Sequence, residues 1–338
     1  MIQYILLLCC LNIILVYGHE HDHIGDFHNC AHSSIPKGGI KCWGQNVNGQ
    51  LGYQNTKNVG DSSGSMGNKL NFVFLGLDIL VKQVAAGKYH TLIVTTDNMV
   101  KAWGGNSHGQ LGRGDTNDKI GSKRKTMGKR LMNVDLGPDY QVWIVSAGFY
   151  HSCAVMLEAY DVRCWGYNDY GQLGIGSTEN VGDEQGEMGI YLETSNLGTN
   201  VNAQNGVSNG DFHNCIISQD FQVKCWGYTN NGRLGYPGEN NWGDDANEMG
   251  DYLPFVNIGT GVTVTIIHSD DHNCAIMSDA GVKCWGVNVD GQLGYGDTQN
   301  RGDGANEMGD YLKHLELGGD DHALNLCTGD HHSVCISI

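Results

Sequence analysis

Twelve cysteines, fifteen histidines and thirty-seven carboxylates give this 338-residue chain the material for disulfides, metal ligation or acid–base chemistry. Spacing decides among these. Eight cysteines form four pairs, Cys30/Cys42, Cys153/Cys164, Cys215/Cys225 and Cys274/Cys284. In each pair the first cysteine follows a histidine by two residues and the second immediately precedes a tryptophan. Separations of ten to twelve residues, with no Cys-x2-Cys, do not match structural zinc spacing. They fit a disulfide across two consecutive antiparallel strands, where opposed Cα atoms lie ~4.5–5.5 Å apart. The pairs behave as units. Where a further pair would fall, Leu92 and Ala102 stand instead, so both cysteines are missing together. Cys327 and Cys335 flank a Gly329-Asp330 turn and are expected to form a fifth bridge in a different register.

The histidines that precede these cysteines, His28, His151, His213 and His272, with His90 before Leu92 and a sixth at His332, invite a catalytic reading. They recur in every unit, whereas an active site breaks such symmetry once. Their expected role is structural, a hydrogen bond to turn backbone. The acidic stretches Gly243–Asp251 and Asp297–Asp310 offer oxygen ligands of the kind calcium takes, without EF-hand spacing. They are read as solvated loops, with no cofactor expected. His19, His21 and His23 are of the ligand type that holds transition metals, but a tail supplies no second shell, so no metal is assigned to them. One loop runs against the rest of the chain: Lys119, Lys123, Arg124, Lys125, Lys129 and Arg130 hold six of the twenty basic residues. It is the candidate surface for an acidic protein or a polysaccharide, against the plainer reading of a solvated loop. No Gly-x-Ser-x-Gly, His-Glu-x-x-His or Walker-type loop is present, nor an Asn-x-Ser/Thr sequon. No enzyme is expected.

The elements that carry these residues follow from a repeat. Trp-Gly recurs at Trp43, Trp103, Trp165, Trp226 and Trp285, at intervals of 60, 62, 61 and 59 residues. A Gly-Gln/Arg-Leu-Gly turn follows each, beginning at Gly49, Gly109, Gly171, Gly232 and Gly291. Further on, Met66, Met127, Met188, Met249 and Met308 keep the same register, each with a Leu four residues later. Between the markers lie short runs of Val, Ile, Leu, Tyr and Trp, the length of strands and too short for ordinary helices. About four short strands per unit, repeated in tandem, describe a β-propeller whose blades bury their faces on one another. The expected repeats are 25–86, 87–147, 148–209, 210–268 and 269–328, with a partial unit at 329–338, all in one domain over 19–338.

Val84 to Val94 (VAAGKYHTLIV) and Asn106 to Gly112 resemble the two signature segments of the regulator of chromosome condensation repeat family. The resemblance covers nearly the whole chain after the leader. It implies a β-propeller, usually of seven blades, whose members act as guanine-nucleotide exchange factors, scaffolds or protein inhibitors such as the β-lactamase inhibitory propeller. Five complete units and a fragment fit a smaller ring, an open arc or a truncated gene product.

Residues 1–18 carry no charged side chain, run apolar from Ile5 to Val16, and put Val16 and Gly18 at the −3 and −1 positions of a cleavage site. A secretory signal peptide is expected there, and no membrane association after cleavage. A net charge of −17 argues against nucleic acid, whose phosphates need clustered cations. The chain thus reads as a secreted, extracellular, monomeric propeller that binds an unknown protein or polysaccharide without enzymatic activity. The alternative, an exchange-factor regulator of a small GTPase, holds if the leader does not direct secretion.

Overall fold

The computed structural model describes Gly25 and residues 27–33, 38–117, 120–318, 322–329 and 331–337. The leader 1–18, the histidines His19, His21 and His23, and Lys119 lie outside the described residues.

Among the described residues sixteen strands form six antiparallel sheets in chain order. The first blade pairs β1 (His28–Ser33) with β2 (Gly39–Gly44). Blade two is β3 (Val81–Ala86), β4 (His90–Thr95) and β5 (Val100–Gly104). Blade three is β6 (Val142–Ala147), β7 (His151–Met156) and β8 (Val162–Gly166). Blade four is β9 (Gly206–Asn209), β10 (His213–Ile217) and β11 (Val223–Gly227). Blade five is β12 (Val264–Ser269), β13 (His272–Met277) and β14 (Val282–Gly286). The sixth pairs β15 (Ala323–Gly329) with β16 (His332–Ser337). The sequence period and the sheet are out of phase. A repeat such as 25–86 closes on β3, which pairs with β4, so each unit donates its last strand to the following blade.

Complete blades have three strands where the sequence suggested four. The expected fourth segment contributes one main-chain bond each: Val73 N–H donates to Ile40 O at 2.9 Å, Val134 to Val100 at 2.9 Å, Ser195 to Val162 at 2.8 Å and Val256 to Val223 at 2.8 Å. The reason is competition for carbonyls. Tyr53 Oη donates to Asn71 O, Tyr236 Oη to Pro254 O, and Lys101 Nζ to Leu131 O, so side chains occupy acceptors a ladder would need.

Trp103, Trp165, Trp226 and Trp285 are fully buried and form the core between blades. Each indole N–H donates across the junction to the turn of the preceding blade: Trp103 to Gln50 O at 2.9 Å, Trp165 to Gln110 O at 2.9 Å, Trp226 to Gln172 O at 3.0 Å and Trp285 to Arg233 O at 3.2 Å. The turn must be glycine to let the ring in. At Gly112 (φ 62°) a β-carbon would fall 3.0 Å from Trp165 Nε1 and 2.9 Å from Met188 Cε.

Four disulfides staple the blades: Cys30–Cys42, Cys153–Cys164, Cys215–Cys225 and Cys274–Cys284, each with Cα atoms 4.1 Å apart. Their register is directly opposed, and in blade two the same rung holds Leu92 against Ala102, both buried. In the sixth blade Cys327 stands opposite Val334 and Leu326 opposite Cys335. The side chain of Cys335 lies outside the described residues, and the Cys327–Cys335 pairing with it.

Candidate binding surface

The Gly-x-x-His motif is built for approach between blades. At Gly87, Gly148 and Gly210 a β-carbon would sit 2.5, 2.4 and 2.3 Å from the carbonyl oxygen of Gly148, Gly210 and Asp270 in turn. The same β-carbons would strike the rings of His90, His151 and His213. These glycines let the inner strands approach an axial cavity lined by Gly25, by the ends of β3, β6, β9, β12 and β15, and by the turns that follow them, among them Lys88, Gly148, Asp211, Asp270 and Thr328.

The histidines contact side chains rather than the turn backbone expected from sequence. His28 Nε2 lies 2.8 Å from Thr91 Oγ1, His90 Nε2 2.9 Å from Ser152 Oγ, and His151 Nε2 2.7 Å from Asn214 Oδ1. His213 and Asn273 (2.9 Å) and His272 and Ser333 (2.6 Å) continue the series. Four partners donate onward to the carbonyl that accepts a tryptophan, Thr91 to Gln50 O, Ser152 to Gln110 O, Asn214 to Gln172 O and Asn273 to Arg233 O, and Ser333 donates to Gln292 O. Because the partner donates onward, the histidine must donate from Nε2, which fixes the neutral tautomer. Burial holds the imidazoles neutral, lowering His28, His90 and His213 to about 3 and His151 and His272 to about 4. These histidines are latches between blades.

The acidic loops are also organised from within. Glu187, Glu248 and Glu307 each turn one carboxylate oxygen onto two backbone N–H groups of their own loop, 2.8–3.0 Å away. Asp297 is held to about 2 by the forked hydrogen bond from Arg301, with backbone and Asn288 donors adding to it. Among the described residues no three His, Cys, Asp or Glu side chains are grouped to hold a metal ion. Lys123, Arg124, Lys125, Lys129 and Arg130 are exposed on the loop of blade two.

Sequence inspection missed an aromatic surface. Because His90 pairs with Gly104, and His151 with Gly166, the residue before each histidine and the residue after each Trp-Gly emerge at the same end of the blades. There the rings of Phe27 and Tyr89 lie 5.5 Å apart, Tyr89 and Tyr150 stack at 5.6 Å, and Phe149 stacks on Phe212 at 5.2 Å. Tyr167 and Tyr170 join Phe212 at 6.0 and 5.5 Å, and Tyr170 meets Tyr228 at 4.3 Å. The crescent crosses four blades with its rings partly exposed. Lys88 Nζ lies 3.9 Å from the Phe149 ring centre and 3.7 Å from Asp211 Oδ2, at the mouth of the axial cavity. It stops at blade five, where Asp271 takes the aromatic place and accepts from Arg233 at 2.8 Å. The signal was available: Phe27, Tyr89, Tyr150 and Phe212 each stand one residue before a motif histidine.

Sheets repeated about one axis and joined by a recurring latch define a β-propeller. The regulator of chromosome condensation (RCC1) repeat model matches residues 81–110 and 144–172, so the propeller carries repeats of that type there. The ultraviolet-B receptor UVR8 of Arabidopsis thaliana is 29% identical over 278 residues, 82% of this chain and 55% of that protein. The probable E3 ubiquitin-protein ligase HERC6 of Homo sapiens is 32% identical over 59% of this chain and 17% of its own length. The chain thus spans about half or less of these relatives. Prp20p of Saccharomyces cerevisiae superposes with a TM-score of 0.66 at 19% identity, covering 93% of this chain and 67% of that one. Human WBSCR16 gives 0.65 at 20% identity, covering 93% and 70%. At these identities the structures speak to fold alone.

Proposed function

We propose that this protein is a secreted, monomeric, non-enzymatic binding propeller that takes a protein or glycan partner on its aromatic end. The observation that carries the reading is the crescent from Phe27 to Tyr228, a run of partly exposed rings on one end of four adjacent blades. Aromatic side chains on a rigid scaffold supply large contact area at small entropic cost, and they dominate binding hot spots. The motif histidines and the loop glutamates are occupied in holding the fold, which favours a binding role over a catalytic one. Secretion rests on the leader and on four bridges, which persist in oxidising compartments. Among the described residues no helix is long and apolar enough to cross a membrane.

A second reading is exchange-factor activity. The report of Prp20p names binding to Gsp1p and histones, and that propeller shares this fold. Disulfide stapling weighs against a cytosolic regulator.

Affinity capture from conditioned medium, with lysate in parallel, tests both. A partner recovered from medium by the wild-type chain and lost with Tyr89→Ala/Tyr170→Ala supports the proposal. Equal capture by both forms, or recovery only of a GTPase from lysate, overturns it.

A further inference from the structure

At two junctions, blades three with four and four with five, a polar clasp closes the outer edge. Thr199 donates from its N–H and its hydroxyl to Asp251 at 2.6 and 2.8 Å, and Thr260 does the same to Asp310 at 2.7 and 3.1 Å. Beside each clasp an asparagine, Asn196 or Asn257, lies against Gly250 or Gly309 of the neighbouring loop. Counting from the repeat leucines and methionines places Leu77 where Thr199 and Thr260 stand, Lys129 where Asp251 and Asp310 stand, and Phe74 where the asparagines stand. The junction of blades one and two has therefore exchanged its clasp for an apolar and basic surface. Its backbone is unchanged: Gly128 N–H donates to Phe74 O at 3.1 Å, as Gly250 does to Asn196 and Gly309 to Asn257.

What the exchange leaves outside is costly for a protein to expose without use. Leu77 is 85% exposed, Met132 68% and Phe74 54%. Phe74 lines a groove of about 480 Å³ on blade one together with Tyr53, Gln54, Lys57, Lys69 and Phe72, and Leu77 follows three residues along the same edge. The basic loop reaches this groove, since Lys125 N–H donates to Gln54 Oε1 at 2.7 Å. Cations thus rim an apolar floor on a chain whose net charge is −17.

We infer that the edge of blades one and two is a docking site for an acidic polypeptide segment that also carries apolar side chains. Charge complementarity selects the carboxylates, and Phe74 and Leu77 select the apolar groups between them. A sulfated polysaccharide would leave that floor uncovered. An anionic bilayer presents a plane, and its approach would bring the acidic loops of blades three to five, with Glu184 and Asp245 exposed, against like charge. The site is separate from the aromatic end, so its test does not depend on the partner bound there.

The test uses the full secreted chain and a fluorescein-labelled peptide alternating Glu with Leu and Phe, followed by anisotropy at low and high salt. The decisive variant, Leu77→Thr/Lys129→Asp, rebuilds the clasp that two other junctions already fold with. Lys123→Glu/Arg124→Glu, on exposed positions, is the second. Wild type should bind in a salt-sensitive manner, and both variants should bind at least tenfold more weakly with an unchanged Tm. Equal affinity in wild type and variants would overturn the inference, as would binding of heparin or phosphatidylserine vesicles in place of the peptide.

Discussion

The Nε2 of His151 and the Oδ1 of Asn214 meet at 2.7 Å across a blade junction, and Asn214 passes a hydrogen bond on to Gln172 O, which also receives Trp226. Two blades and a turn are thereby tied by one chain of donors. Thr91 and Ser152 do the same work at other junctions, so the requirement is for a group that accepts from histidine and donates to a carbonyl. Asn214→Ala should cost about 1–3 kcal/mol, the penalty for leaving buried groups unpaired, and Asn214→Ser about half that or less. Denaturant unfolding of the two variants checks the order.

Acid should act on the same latches. The five imidazoles protonate near 6.5 in the unfolded chain, but burial lowers them to about 3 or 4 in the fold. Between those limits the unfolded state binds more protons, so stability rises with pH in that window and is lost as pH falls through it. Each histidine contributes at most ~1.4 kcal/mol per pH unit. Unfolding free energy should be flat above about pH 7 with respect to these groups and fall steeply below 6. His90→Gln should reduce the slope by roughly one proton.

Blade two offers a direct test of register. Leu92 faces Ala102 on the rung that holds a disulfide elsewhere. Leu92→Cys/Ala102→Cys should oxidise to completion, read as a loss of two protons in intact mass. Reducing that bond alone should cost about 2–3 kcal/mol on the chain-entropy model.

The glycine of the histidine motif is a steric requirement. A β-carbon at Gly148 would lie 2.4 Å from Gly210 O and 2.3 Å from His151 Cε1, both fixed by the junction. Gly148→Ala should destabilise by about 2 kcal/mol or more, as overpacking does. Gly186, with nothing within 4 Å of its would-be β-carbon, should lose only about 1 kcal/mol through its positive φ. Thermal unfolding separates the two.

The propeller was legible because its markers are register-bound. Trp165 and Gly112 must meet across a junction, so neither can drift along the repeat. The cysteine pairs were legible for the same reason, as opposed residues on one rung. The partner of each histidine was not read, because it lies in the following unit and contact between units is invisible to periodicity. Yet Thr91, Ser152, Asn214 and Asn273 all stand one residue after a histidine, a polar position among strand residues. The sequence suggested about four strands per unit, but the segment after each repeat leucine makes a single main-chain bond to its sheet, a difference that strand-like composition does not reveal. The aromatic crescent escaped notice because its rings come from four separate positions in the repeat, which only the fold gathers at one end.

A stapled propeller exported to do its binding should carry its bridges outside the cell. Intact mass under non-reducing conditions, on protein from medium and from lysate of the native cells, tests it most directly. The predicted result is a chain in the medium that begins after Gly18, with Cys30–Cys42 and its three counterparts oxidised. Recovery only from lysate, with residues 1–18 retained and those thiols free, would contradict it.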